Sequence, residues 1–303
     1  MEALRVYGNL SLLEMAPVLL AAAEIYPGRT VLEHGSVMSL WGESSDLASL
    51  GSAGNSHLAT NSETQALRAS ARHPDMRFIF TLAECPYRIV ARRSAGIATL
   101  ADLRGKRIGT QRESSAEFFL ERMLGTVGLA IGDVHLVHFM AHTTNPISRL
   151  PEALQAGEID AVALWEPQVQ RAKHLIAADA VELYDPALYT EKFSVCTKRG
   201  HLEDPAIRSE IVAFVRALQT ATQRLKSDPE RAQKLVAQTA GLDIEVVRNA
   251  WHCFDYPGKL APDLLGVFQR QEPWLARVQH RTARSRDELA TLIDDSIVRE
   301  AAA

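Results

Sequence analysis

The chain reads as an α/β protein built from two blocks of alternating strands and helices, followed by a helical tail. Three observations predict this. Strand-like and helix-like segments alternate over residues 4–92, the same rhythm starts again near residue 95, and the pattern becomes almost wholly helical after residue 204. Strict alternation of this kind is the pattern of mostly parallel sheets covered by helices. A length of 303 residues leaves room for two domains, at roughly 100–200 residues each. With 47% hydrophobic and 23% charged residues, the composition is that of an ordinary globular chain, which excludes disordered, collagen-like and disulfide-stapled classes. The 33 basic and 37 acidic side chains leave a net charge of -4, so there is no basic surplus for a polyanion and nucleic acid is not an expected partner.

The elements follow in order. Residues 4–7 form a strand, Gly8-Asn9-Leu10-Ser11 a turn, and residues 12–26 a helix; a second strand covers 30–34. Residues 42–56, rich in Gly, Ser and Asp, are irregular, and a third strand spans 56–60. Asn61-Ser62-Glu63 opens a helix over 64–72 with Asn or Ser as its N-cap, a role both fill well. Strands over 77–82 and 87–92 end the first block. The second runs through a short helix at 100–103, a strand at 107–110, an amphipathic helix at 114–127 and a strand at 134–139. A helix at 147–156, a strand at 161–164, a helix at 167–177 and a strand at 180–183 follow, and a strand over 193–198 leads out. Helices over 205–226, 229–239, 244–253, 262–278 and 285–299 complete the chain.

Two segments carry a family resemblance. Thr99-Leu100-Ala101-Asp102-Leu103-Arg104-Gly105-Lys106-Arg107-Ile108-Gly109 is followed by Glu113-Ser114-Ser115-Ala116. Further on, Leu154-Gln155-Ala156-Gly157-Glu158-Ile159-Asp160-Ala161 precedes Trp165-Glu166-Pro167. Their order and spacing resemble the type II periplasmic-type solute-binding proteins of ABC importers, in the branch that binds sulfonates, taurine, nitrate and thiamine-pyrimidine precursors. The resemblance implies a two-lobed type II periplasmic-binding-protein fold with a ligand cleft between the lobes and a helical C-terminal part. It places residues 1–88 and 195–303 in lobe one and 89–194 in lobe two, with crossings near 86–89 and 192–196. It also implies a small polar organic ligand, an ABC permease as partner, a monomer, and no cofactor or metal.

Candidate ligand-binding residues sit where strands end and helices begin, because free N–H groups and the helix dipole there favour acceptor groups. Asn9 and Ser11 follow the first strand; Asn61, Ser62 and Glu63 follow the third. Arg112, Ser114 and Ser115 open the helix at 114–127, and Trp165 and Glu166 close the strand at 161–164. Each has a second reading. Ser114, Ser115, Asn61 and Ser62 serve equally as plain helix caps, and Arg112 as a solvated loop residue. Glu63 either favours the helix dipole or selects a cationic group. Trp165 either stacks on a planar or apolar group or packs in the core, and Glu166 is a ligand acceptor or a loop charge. Glu113 stands where the family often carries glycine; its bulk and charge disfavour a bare oxyanion such as nitrate and favour a larger anionic or zwitterionic organic ligand.

Enzymes share this fold, so the second function class is a lyase or hydrolase, desulfinase-like, acting on a small organic acid. The related sulfinate desulfinase carries a nucleophilic cysteine after its first strands, and residues 8–32 hold none. Cys85, Cys196 and Cys253 show no CxxC or metal-ligand spacing, their odd number leaves one thiol free or bound to another molecule, and His57, His138 and His142 are scattered. HExxH, GxSxG, P-loop and GxGxxG motifs are absent, so no catalytic or metal-ligating residue is assigned. The apolar stretch at 15–25 is interrupted by Pro17 and Glu24, too short to span a bilayer, and lacks the basic flank of a signal peptide. The expected location is periplasmic or cell-surface if a signal sequence has been removed, and cytoplasmic otherwise.

Overall fold

A computed structural model describes residues 3–43, 55–138 and 149–303. Most of the irregular stretch expected over 42–56, the end of the strand at 134–139, the start of the helix at 147–156, and His142 lie outside the described residues.

In chain order the strands are β1 (Leu4–Gly8), β2 (Thr30–His34), β3 (Leu58–Ser62), β4 (Met76–Pro86), β5 (Arg88–Arg92), β6 (Arg107–Gly109), β7 (His135–Val137), β8 (Ala161–Leu164), β9 (Ala180–Leu183) and β10 (Thr190–Lys198). They form two five-stranded sheets, ordered β2-β1-β3-β10-β4 and β7-β6-β8-β5-β9. The chain changes sheet between β4 and β5, at residues 86–88, so the strand expected to end the first block over 87–92 belongs to the second sheet, and the break in the sequence pattern near residue 95 comes after the change. Both sheets are mixed, not mostly parallel as the alternation predicts. β1 pairs in parallel with β2 and β3, and β6 with β7 and β8. β10 runs antiparallel to β3, and β5 antiparallel to β8 and β9. The pairings Phe193↔Ser62 and Arg88↔Leu164 give the reason: each of these strands enters its sheet at the carboxyl edge of the parallel strands and must run back.

The chain divides into two compact units, one of Met1–Glu84, Lys192–Val247 and Phe254–Ala303, the other of Cys85–Glu191 and Arg248–Cys253. The short segment Arg248–Cys253, expected with the first lobe, thus groups with the second unit.

In the first unit, α1 (Ala16–Leu20) continues a tight turn at Leu13–Met15 and passes into a wider turn at Ala21–Ile25, so the helix expected over 12–26 forms with three windings. α2 (Glu63–Ser70) follows β3. In the second unit, α3 (Ser115–Gly125), α4 (Leu150–Ala156) and α5 (Gln168–Ile176) cover the sheet. Val90, Leu154, Ile159, Val162 and Val169 are fully buried among them.

The tail contains α6 (Arg199–Glu203), not anticipated from the sequence, then α7 (Pro205–Ser227), α8 (Glu230–Ala240), α9 (Ile244–Trp251) and α10 (Leu264–Val278). α7 starts cleanly because Asp204 Oδ1 accepts from the N–H of Ala206 and Ile207 with Pro205 in the first turn, a favoured arrangement. The expected helix over 285–299 is two, α11 (Arg286–Ala290) and α12 (Ser296–Ala302). Between them the backbone pairs with β4 instead: Phe78 N–H donates to Leu292 O at 2.7 Å and Asp294 N–H to Phe78 O at 3.0 Å. Lys259 and Asp255 pair with Thr81 and Glu84 in the same manner. The tail thereby satisfies an edge strand that would otherwise offer open backbone groups.

Glu272 of α10, 1% exposed, fastens this tail. Arg281 pairs with it, Arg284 bonds both of its oxygens, and the Arg284 guanidinium continues to Ser70 Oγ at 2.9 Å and Leu67 O at 3.1 Å on α2. Although burial alone raises a carboxyl, the two guanidinium partners prevail and lower Glu272 from 4.5 to about 2. Its stabilisation is therefore complete above pH about 4.5 and lost as the pH falls toward 2. The difference corresponds to roughly 3 kcal/mol. Urea unfolding of Glu272→Gln should show that deficit at pH 6 and a much smaller one at pH 2.5.

Candidate functional site

In the second unit, β6 ends at Gly109, where an added Cβ would lie 2.6 Å from both Leu150 Cδ2 and Ile159 Cδ1, so those side-chain tips would have to move to admit one. The chain then turns through residues 110–114 into α3. Ser114 is the N-cap, its hydroxyl accepting from Ala116 N–H at 3.2 Å and donating to Gln111 O at 2.7 Å. Both functions of that hydroxyl are spent on the protein. Ser115, 2% exposed, differs: among the described residues neither its N–H nor its hydroxyl has a hydrogen-bond partner. Arg112 is exposed, and its guanidinium also has no partner among the described residues. Opposing these donors, Glu117 in the first turn takes the N–H of Glu113 at 2.6 Å, so the helix start is not a purely positive pocket. Glu113 has φ 52, left-handed backbone that glycine adopts freely. The glycine common at this place in the resembling family thus has a backbone reason as well as a ligand-approach one.

Trp165 stands just beyond β8 and is half-buried. Its ring lies 5.7 Å from that of Tyr87 at 30°, within the offset-stacking range. Glu166, beside it, is neither a loop charge nor open to a ligand. It is 0% exposed, bonded by Arg88 Nη1 at 2.9 Å and by Gln170 Nε2 at 3.0 Å. Burial pushes its carboxyl up, and Arg88 opposes that shift. Arg88 also pairs with Glu182 at 2.6 Å.

In the first unit, Asn9 is half-buried after β1 and its Oδ1 accepts from Ser11 N–H at 3.2 Å. β3 extends two residues further than expected, so Asn61 and Ser62 are its last residues, not a turn. Asn61, half-buried, takes Ser62 N–H at 2.9 Å, and Ser62 caps α2 through Gln65 N–H at 3.4 Å. Glu63 is 0% exposed. It accepts from the backbone N–H of Lys192 at 2.7 Å and from Gln271 Nε2 at 2.6 Å. Glu63 opens the first turn of α2, where its charge favours the helix dipole; it does not face a ligand, and it ties β10 and α10 to the start of α2.

Sequence reasoning missed Arg88, Lys192 and Tyr87. Lys192, 7% exposed, pairs with Glu84 at 2.6 Å. For Arg88 the available signal was a charge opening an apolar strand, which demands a partner.

The three thiols are free, Cys85 and Cys196 buried and Cys253 half-buried. Cys253 Sγ lies 3.5 Å from Arg88 Nη2 and 3.6 Å from His252 Nε2. Burial, reinforced by Glu166, nevertheless pushes it up to about 11, so at neutral pH it is a protonated thiol and a poor nucleophile. Among the described residues no group of three or more His, Cys, Asp or Glu side chains is arranged to hold a metal, and no described helix is long and apolar enough to cross a membrane.

Two outcomes follow from these contacts. Arg88→Met strands the buried Glu166 charge and should cost about 3–5 kcal/mol in chemical denaturation. Glu113→Gly relieves left-handed strain at the expense of chain entropy and should raise stability by about 0.5–1 kcal/mol, read as a higher unfolding midpoint.

The comparisons agree with this architecture. The periplasmic aliphatic sulphonate binding protein SsuA from Escherichia coli is similar with a TM-score of 0.74 and 19% identity over 97% of each chain. The alkanesulfonate-binding protein SsuA from Xanthomonas axonopodis pv. citri, bound to MOPS, has a TM-score of 0.70 and 20% identity, covering 98% of this chain and 99% of that one. The desulfurization enzyme DSZB has a TM-score of 0.67 and 16% identity, covering 100% and 99%. At such identities the likeness shows the fold alone, the two-lobed periplasmic-binding-protein fold. No curated protein matches the chain. The sequence pattern described as NMT1/THI5 like matches residues 40–232, and the chain belongs to that family.

Proposed function

We propose that the protein is a solute-binding protein that captures a small polar organic ligand, anionic or zwitterionic, for an ABC importer, acting as a monomer without catalysis. The observation that carries this reading is Ser115. A buried serine with an unpaired N–H and an unpaired hydroxyl among the described residues, beside an exposed Arg112, offers donors that water or a ligand oxygen must fill. Arg112, Ser115 and Trp165 in the second unit are the side chains assigned to the ligand; Asn9, Ser11 and Asn61 in the first remain half-buried polar groups at strand ends. Glu63 and Glu166 are left out because their carboxylates are already paired within the protein. Ser62 and Ser114 are left out as caps. The importer role is supported by the fold shared with the two sulfonate-binding proteins, and it requires a periplasmic or cell-surface location and a permease partner.

A second reading, an enzyme of desulfinase type, draws on the fold shared with DSZB. The chemistry of the thiols weighs against it. Residues 8–32 contain no cysteine, and Cys253 is held protonated. Turnover of a sulfinate that disappears in Cys253→Ser would favour the enzyme instead.

A thermal-shift and calorimetric screen with MOPS, taurine and small aromatic acids tests the binding reading. A ligand at a hundredfold its Kd adds about 2.7 kcal/mol of apparent stability. For whichever compound binds, Ser115→Ala should weaken affinity about tenfold to a hundredfold, the effect of one hydrogen bond to an ionised group, with the ligand-free melting temperature almost unchanged. Ser114→Ala should do the converse, lowering stability by about 0.5–2 kcal/mol through the lost cap. Reversed behaviour of the two serines would move the site elsewhere.

A further inference from the structure

The aromatic packing behind Trp165 carries the reading of the same site further. Tyr87 sits under the Trp165 ring and is itself only 3% exposed. Its position is fixed from three directions. Tyr189 meets it edge-on at 5.3 Å and 88°, Phe119 of α3 meets it at 6.2 Å and 68°, and its hydroxyl donates to Glu191 Oε1 at 2.7 Å. Tyr189 and Phe119 are 5% and 0% exposed. Trp165 is thus the half-open outermost ring of a rigid aromatic stack, with its backing locked by packing and by a buried hydrogen bond. Strand register connects this ring to the donor group. Gly109 and Val162 are partners in the sheet, and Arg112 and Trp165 each lie three residues beyond them. Phe119 lies one turn along α3 from Ser115, so the helix that presents the free donors also supports the stack.

The geometry points to a ligand that combines a planar aromatic ring with an oxyanion or other acceptor group, the ring lying on Trp165 and the acceptor at Ser115 and Arg112. This rests on the solute-binding reading and narrows it. A preorganised ring surface loses no side-chain freedom on binding, and a flat π-system gains on it what an alkyl chain does not.

Isothermal titration with two matched pairs, benzenesulfonate against ethanesulfonate and benzoate against propionate, tests this with one variable in each pair. The aromatic member of at least one pair should bind about threefold to tenfold more tightly, matching the ring–ring contribution. Trp165→Leu should abolish that preference, bringing the two affinities within each pair together, and Trp165→Phe should restore most of it. Because the readout is a ratio of two affinities on one protein, a general loss of folding does not imitate it. Equal affinities within both pairs, or a preference that survives Trp165→Leu, overturn the inference and leave the solute-binding reading standing. Binding by none of the four compounds overturns both.

Discussion

The ion pair between Arg88 and Glu166 is the contact on which the carboxyl edge of the second sheet depends. A charge with no exposed surface survives only with a partner that returns what water supplied. Glu166 has Arg88, Gln170 and no solvent. Arg88 opens β5 opposite the last residue of β8, so the pair joins the strand by which the chain enters the sheet to the turn that presents Trp165. Fixing that turn fixes the height of the tryptophan ring relative to the neighbouring turn that leads into α3. The turn that carries Trp165 is held by a buried ion pair that has no exposed carboxylate.

The first unit solves the equivalent problem differently. Glu63 is buried at the start of α2. A backbone N–H from β10 and the amide of Gln271 take its two oxygens. One carboxylate thereby joins three segments far apart in sequence, 63, 192 and 271. Both sheets thus place an acidic residue within two positions of a strand end and bond it internally, while the neutral Asn9, Ser11 and Asn61 are half-open polar side chains in the first unit.

Much of the fold was legible because apolar periodicity reports local structure directly. β2, β8 and β9 begin and end where the alternation of residue types does, and the caps at Asn61 or Ser62 and at Ser114 were readable from chemistry within four residues of each helix start, the structure selecting Ser62. Strand direction was not legible. β5 and β10 look like any apolar strand, and their reversal follows from where the chain enters each sheet, a long-range property. The split of the helix at 285–299 was hidden for the same reason, since only β4 competes for those backbone groups. At the site, the sequence identified the turns but not which side chains remain available. Glu166 and Ser115 look equally eligible in one dimension, and their burial partners alone separate them.

The first sheet is assembled from strands on either side of the second in sequence, residues 4–86 and 190–198, whereas the strands of the second all lie within residues 88–183. On the ribosome the second sheet has every strand available while the first still lacks β10 and the tail that covers β4. Folding of the N-terminal strands therefore waits on distant sequence, a high-contact-order requirement that slows closure. A nascent or truncated chain ending before residue 255 presents β4 as an edge without the tail that covers it. Such an edge is the natural site for misassembly with other chains and for chaperone capture during synthesis.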